Sequence, residues 1–487
     1  MKKYGLVLSG GGTKGAFEIG VWQALREMKI HTPCVIGTSV GALNAAVIAQ
    51  NDFDKALDFW SNLTINQVLN LNTHMTNKYV EQWSKTSFDF FRLSFLNDLF
   101  HGGFDITPLR ENLQNLISED TIRKSSIRLG LVTVRLNTLS PIKLMIEDIP
   151  EGQLLDYLLA SAAFPVFQKQ EIDGTTYLDG GFYDNVPINF MAENGYNDII
   201  SVEFPALGVK QKIRNKDINL KVINNSEYLG MTLEFDQKTI LNNITMGHLD
   251  CLKTFKAAKG KFYYFDMSRQ RKLYDRLDRF IGTPLQDEIS REKVAHLLSI
   301  PADSDKPSIL AAINAIIRST NYPEDEPLLM TLLEIAGKSL GVKRLEYYTM
   351  DQYLPALLNA LNALTKANLS LIKKESTIKD AFKDCPIDYK PTTILDFITF
   401  YVLFVGARQD MPLFRLNALI KKFTPEFVLS ILLLIYIHQM IKNANLKTLC
   451  ASQRRGFLID QKSHLIIFIR RYDSLLNNII RLHIPND

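Results

Sequence analysis

Cys34-Val35-Ile36-Gly37-Thr38-Ser39-Val40-Gly41-Ala42-Leu43-Asn44-Ala45-Ala46 is the stretch that decides how this chain folds. A short apolar, β-favouring run passes through a Gly-x-Ser-x-Gly bend into a series of small helix-compatible residues, which reads as strand, tight turn, helix. One unit upstream, Tyr4-Gly5-Leu6-Val7-Leu8-Ser9 runs into Gly10-Gly11-Gly12-Thr13-Lys14-Gly15 and then into a helical Ala16–Met28. Repetition of this order predicts an α/β domain with a mostly parallel sheet. Ile127–Asn137 and Asp198–Glu203 read as further strands, and Val40–Gln50, Phe53–Asn62 and Leu109–Ile117 as helices. The last has Thr107 as its expected N-cap and Pro108 at its first helical position.

The two turns carry chemistry. Glycines at 10, 11, 12 and 15 let the backbone present several N–H groups to an anion at a helix N-terminus. By spacing alone this turn also fits a dinucleotide site, but that reading needs an acidic residue at the end of the second strand to hold a ribose hydroxyl. Here that strand ends in Gly37-Thr38-Ser39 with no acid. The bend instead suits a nucleophile elbow, which lifts a serine hydroxyl clear of the sheet, with Gly37 and Gly41 permitting the tight geometry. Adjacent parallel strands end on the same sheet edge. The glycine turn is therefore expected beside Ser39, as an anion-stabilising loop beside a nucleophile.

A base is needed to complete the set. The eight histidines are His31, His74, His101, His248, His296, His438, His464 and His483, and none stands in a catalytic pattern. His248 is the best placed, but Met246-Gly247-His248-Leu249-Asp250 reads as helix. Asp179 follows an apolar run and precedes Gly180-Gly181, whereas Asp173-Gly174 reads as a hairpin turn. Cys34, Cys251, Cys385 and Cys450 are widely spaced, with no zinc-type pairing, which suits a reducing compartment. Asp303-Ser304-Asp305-Lys306 lacks the glycine and terminal glutamate of an EF-hand. No metal site is expected.

Three motifs in order, Gly10-Gly11-Gly12-Thr13-Lys14-Gly15, Gly37-Thr38-Ser39-Val40-Gly41 and Asp179-Gly180-Gly181, resemble those of the bacterial patatin-like phospholipases. Ala160-Ser161-Ala162-Ala163-Phe164-Pro165 and Asn185-Val186-Pro187 resemble the segments that flank them, and the likeness runs from about residue 3 to 267. The resemblance implies a three-layer αβα domain and a lipid acyl hydrolase of phospholipase A or lysophospholipase type. It further implies a Ser39–Asp179 dyad without histidine, an acyl-enzyme intermediate, an oxyanion hole from Gly10, Gly11 and Gly12, and no cofactor. Lys14 stands where the family has a basic residue. An aspartate near its usual pKa of about 3.9 is a weak base for a serine hydroxyl, so burial of Asp179 and a preorganised oxyanion hole would have to compensate.

Two other readings compete. An α/β-hydrolase with a distant histidine is disfavoured because the Gly-x-Ser-x-Gly bend falls on the second strand. A binding module with an idle catalytic domain is opposed by the intact Ser39 and Asp179.

The 487 residues exceed what one core usually organises, and 56 basic against 52 acidic residues are too balanced to announce a nucleic-acid binder. The charged run Ser268–Arg276 and Gly282-Thr283-Pro284 mark a linker at 268–284 between a 1–267 acyl hydrolase domain and an all-helical 285–487 domain. Helices are expected there at Ile309–Ile317, Leu328–Leu340, Leu354–Leu371 and Phe427–Ile441. The aromatic-rich Lys78–Phe100 suits core packing or a lid. The apolar start is too short for a signal peptide, and the runs 397–407 and 427–437 are about half a membrane span. A cytoplasmic protein, peripheral at membranes, is the expectation. Residues 442–487 carry eight basic against three acidic side chains, a candidate contact for a membrane or a protein partner.

Overall fold

The computed structural model describes residues 3–70, 103–266 and most of 291–360, with residues 275, 425–426, 428–430 and 432–433 as isolated points. The chain divides into two compact units, Met1–Ala257 and Ala258–Asp487.

The first unit is built on an eight-stranded sheet. Its strands are β1 (Lys3–Leu8), β2 (His31–Thr38), β3 (Arg128–Arg135), β4 (Ser140–Met145), β5 (Gln170–Ile172), β6 (Thr175–Asp179), β7 (Asp198–Glu203) and β8 (Asn219–Asn224). Their order is β5-β6-β3-β2-β1-β7-β8, with β4 also on β3. The central five, β3-β2-β1-β7-β8, are parallel, and β4, β5 and β6 are antiparallel. β1 and β2 are buried almost throughout, which accounts for their near-continuous apolar sequences.

Helices cover both faces. α1 (Ala16–Glu27), α2 (Val40–Gln50) and α3 (Phe53–Ser61) follow the first two strands, and α4 (Thr107–Leu116) and α5 (Glu119–Arg123) precede β3. α6 (Leu154–Ser161), α7 (Ile188–Glu193) and α8 (Gln237–Thr254) complete the layers, with α8 packed along α1. On the opposite face, Ile188, Phe190 and Met191 of α7 pack on Val7, Ile36, Val132 and Ile199. The expected α/β architecture with a mostly parallel sheet is therefore the observed one.

Two details depart from the sequence reading. The α4 N-cap is Ile106, not Thr107, because the Asp105 carboxylate accepts from both the Thr107 amide and hydroxyl (2.9 and 2.6 Å) and draws Thr107 into the first turn. The second unit is not wholly helical. Beside α9 (Lys306–Arg318) and α10 (Leu328–Leu340) it holds a three-stranded sheet of β9 (Ala258–Lys259), β10 (Tyr264–Asp266) and β11 (Tyr347–Tyr348). β10 pairs with both β9 and β11, which takes residues 258–266 into this unit, ahead of the charged run. The Glu334 carboxylate on α10 accepts from the amides of Lys261, Phe262 and Tyr263, fixing the turn between β9 and β10. The expected segments Lys78–Phe100, Phe427–Ile441 and 442–487 lie wholly or mostly outside the described residues, as does Leu354–Leu371 beyond its start. No helix among the described residues is long and apolar enough to cross a membrane.

Candidate active site

Ser39 is the single residue between β2 and α2. Its φ of 57° and ψ of −131° lie in a region that L-residues avoid, a conformation held only where the surroundings dictate it. Two contacts do so. A Cβ at Gly37 would lie 2.0 Å from the Gly41 carbonyl oxygen, so the bend closes only with glycine at 37. The Ser39 amide donates to the Ser161 hydroxyl (3.0 Å), which itself donates to the Val132 carbonyl (2.7 Å).

Asp179 ends β6, four per cent exposed; its carboxylate accepts from the Gly181 amide (2.8 Å) and faces the Ser39 hydroxyl. Burial pushes its pKa up to about 6, against the opposing pull of the Ser39 hydroxyl and the Gly181 amide. Its own amide donates to the Ala163 carbonyl (3.0 Å). One short segment thus holds the backbone of both residues, Ser39 through Ser161 and Asp179 through Ala163. β6 reaches β3 antiparallel with Asp179 opposite Thr133, one residue beyond Val132, which pairs with Thr38 of β2. Sheet register is what brings residues 39 and 179 together.

The glycine turn lies beside them. A Cβ on Gly10 would sit 2.9 Å from Ser39 Cβ and 2.4 Å from Asn185 Oδ1, so no larger residue permits this approach. The Gly10 amide is already directed to the Asn185 carbonyl (3.3 Å), and the Asn185 side-chain amide donates back to the Gly10 carbonyl (3.2 Å). Gly11 and Gly12, not Gly10, line the adjoining cavity. Of the three expected donors, the Gly10 amide is directed to Asn185. Thr13 fastens the same turn to the chain at 231–234, accepting from the Glu234 amide and donating to Met231 or Thr232. Lys14 is neither an open solvated cation nor a cavity residue. Its amine donates to the Pro205 carbonyl (2.7 Å), and burial lowers its pKa against the raising effect of Glu234.

The cavity has a volume of about 750 Å³, within the usual range for small-molecule sites. Ser39, Asp179, Gly181 and Asn185 stand among walls made largely of aliphatic and aromatic side chains from α2, α3, α4 and the 164–167 turn. Trp60 is held in this wall by its indole N–H to Asn44 Oδ1 (2.9 Å), and Asn44 donates in turn to the buried Glu18 (2.7 Å). No described residue lining the cavity is a histidine. His248 lies on α8 with its ring against the Glu27 carboxylate of α1 (2.6 Å), and its neighbour Gly247 serves the helix contact, since a Cβ there would meet the Phe17 carbonyl. Among the described residues no group of acidic, cysteine and histidine side chains is arranged to hold a metal.

Comparison with known proteins agrees with this region of the chain. The family described as patatin-like phospholipase matches residues 6–192. A patatin-like phospholipase domain-containing protein of Caenorhabditis elegans, ZK370.4, is 27% identical over 204 residues, which are 41% of this chain and 13% of that protein. The lysophospholipase nte1 of Neurospora crassa is 25% identical over 207 residues, 42% of this chain and 12% of its own. The match therefore spans only about an eighth of these relatives' length. Among solved structures, VipD from Legionella pneumophila aligns over 88% of this chain and 91% of its own, with 15% identity and a TM-score of 0.35.

Proposed function

Residues 6–192 belong to the patatin-like phospholipase family, and from that premise we propose that the chain hydrolyses fatty-acyl esters of phospholipids or related lipids through Ser39 and Asp179. One observation carries the proposal: Ser39, at positive φ, and the buried Asp179 carboxylate stand side by side in the wall of a large apolar cavity. Ser39 Oγ attacks the ester carbonyl carbon while Asp179 takes its proton. The amides of Gly11 and Gly12 hold the resulting oxyanion, with Gly10 and Asn185 fixing their position. On collapse, Asp179 returns the proton to the departing alcohol and the acyl group stays on Ser39. Asp179 then deprotonates the water that attacks the acyl carbonyl, and returns that proton to Ser39 Oγ as the Oγ–acyl bond breaks and the fatty acid leaves. A carboxylate titrating near 6 is a stronger base than an ordinary aspartate, and each oxyanion donor contributes about 3–4 kcal/mol, which together offset the missing histidine.

Incubation of the full chain with mixed phospholipids and lysophospholipids should release free fatty acid, and chelators should leave the rate unchanged. Product analysis by mass spectrometry checks both. Intact lipids after prolonged incubation, with a folded protein, would remove the proposal, and a strict calcium requirement would remove its metal-free mechanism.

Ser161 acts in this scheme as a positioning residue. Ser161→Ala leaves the Ser39 amide without its acceptor and should lower kcat by about tenfold to a hundredfold with KM little changed, the signature of a misplaced nucleophile. Steady-state kinetics on a soluble ester separate the two constants. A rise in KM with kcat intact would show that Ser161 shapes the cavity instead.

A further inference from the structure

We infer that the segment Leu207–Lys216 is an interfacial docking surface that seats the mouth of the cavity on an anionic lipid bilayer. The inference rests on lipid hydrolysis as the function proposed above.

Three observations converge on it. First, the segment leaves apolar side chains in water: Leu207 is 67% exposed, Val209 47% and Ile213 37%, and the neighbouring Phe182 is 53% exposed. Phe182, Leu207 and Val209 also line the cavity, so this apolar edge is continuous with the space expected to take the acyl chain.

Second, the same segment carries Lys210, Lys212, Arg214 and Lys216 and no acidic residue. Lys210 pairs with Glu203, but Lys212, Arg214 and Lys216 have no ion-pair partner among the described residues. Cations interleaved with exposed aliphatic side chains match an anionic headgroup layer above hydrocarbon.

Third, the exposure is not that of a loosely held loop. The Asn185 amide donates to the Val209 carbonyl (2.6 Å), and the Val209 amide to the Gly181 carbonyl (2.8 Å). The Gln211 side chain donates to the Tyr183 carbonyl (2.7 Å). Asn189, six per cent exposed, donates to the Lys212 carbonyl and accepts from the Arg214 amide, both at 3.0 Å. Buried polar groups between Gly181 and Asn189 therefore fix the backbone while the apolar and basic side chains point to solvent. Since Gly181 and Asn185 belong to the site itself, a bilayer engaged at 207–216 is coupled by direct hydrogen bonds to the residues around Ser39.

The test uses the full chain carrying Ser39→Ala, so that vesicles are not degraded, with a further Ile213→Trp substitution. Emission should be quenched by phosphatidylcholine–phosphatidylglycerol vesicles with brominated acyl chains, beyond any quenching of the chain without Ile213→Trp. Lys212→Glu, Arg214→Glu and Lys216→Glu together should weaken vesicle partition by tenfold or more, as each basic residue near an anionic leaflet strengthens attachment about fivefold. With Ser39 intact, the same three changes should leave hydrolysis of p-nitrophenyl butyrate within about twofold, since none of them lines the cavity. The surface is overturned if position 213 shows no added quenching, or if charge reversal leaves partition within about twofold. A parent chain that binds vesicles through 213 but fails on p-nitrophenyl butyrate would defeat the catalytic reading while sustaining the docking surface.

Discussion

Ser39→Ala is expected to lower turnover of any ester substrate by about a millionfold and to eliminate labelling by a fluorophosphonate, because removing the nucleophile of a serine hydrolase leaves only the residual catalysis of binding and oxyanion stabilisation. The local structure argues for so large an effect. Ser39 is kept at positive φ on a bend that closes only with glycine at 37, its amide anchored by Ser161 and its hydroxyl beside the Asp179 carboxylate. A residue serving only as a surface turn would not be held in a disfavoured conformation, its amide anchored, at the wall of a cavity. Alanine keeps the amide anchor, so the variant should fold, and circular dichroism should match the parent. Labelling that survives the substitution would assign the nucleophile elsewhere, and an unlabelled parent would favour a domain that binds without turning over.

The parts of this site that were legible in the sequence are those determined within one β-turn-helix unit. Ser39, Gly37 and Gly41 follow from a bend that only small residues permit, and Gly10–Gly12 from a turn between β1 and α1. The parallel core follows from the same repetition. Asp179 stood out through its Asp-Gly-Gly setting and the family resemblance, since nothing local joins β6 to β2. What stayed hidden depends on contacts far apart in the chain. Ser161 meets the Ser39 amide across 122 positions and Asn185 meets Gly10 across 175, and neither residue type announces such a partner. The same applies to Lys14, whose bond to Pro205 spans 191 positions. β5 was illegible for a different reason: three residues are too few to show a period. β8 mixes Asn219, Lys221 and Asn224 with its apolar residues, because only its Ile223 is fully buried.

Asp179→Asn should cut kcat by about 10³–10⁴-fold while making the folded protein more stable, a pairing that a purely structural aspartate would not produce. The activity loss follows because the amide keeps the shape and the acceptor for the Gly181 amide but cannot take a proton from Ser39. In the parent, kcat/KM should fall about tenfold per pH unit below about 6, as Asp179 becomes protonated and loses its role as base.

The stability gain has a definite sign. Burial raises the folded-state pKa of Asp179 from 3.8 to about 6, so the native state holds this proton more tightly than the unfolded chain. The stability so contributed is fully present below about pH 4 and is lost as pH rises through about 6, at a total cost of about 3 kcal/mol. Asparagine cannot ionise and escapes that cost. At pH 8 the melting temperature of Asp179→Asn should exceed that of the parent by several degrees, and the difference should shrink towards zero near pH 4. Asp184 is likewise raised to about 6 by burial and Glu18 well above the ordinary carboxylate range, but both are present in the two proteins and cancel in the difference. Paired thermal melts from pH 4 to 8 give the comparison. A variant that is inactive and also less stable at pH 8, or a stability difference that does not change with pH, would show that the Asp179 carboxylate holds the fold rather than serving as a buried base.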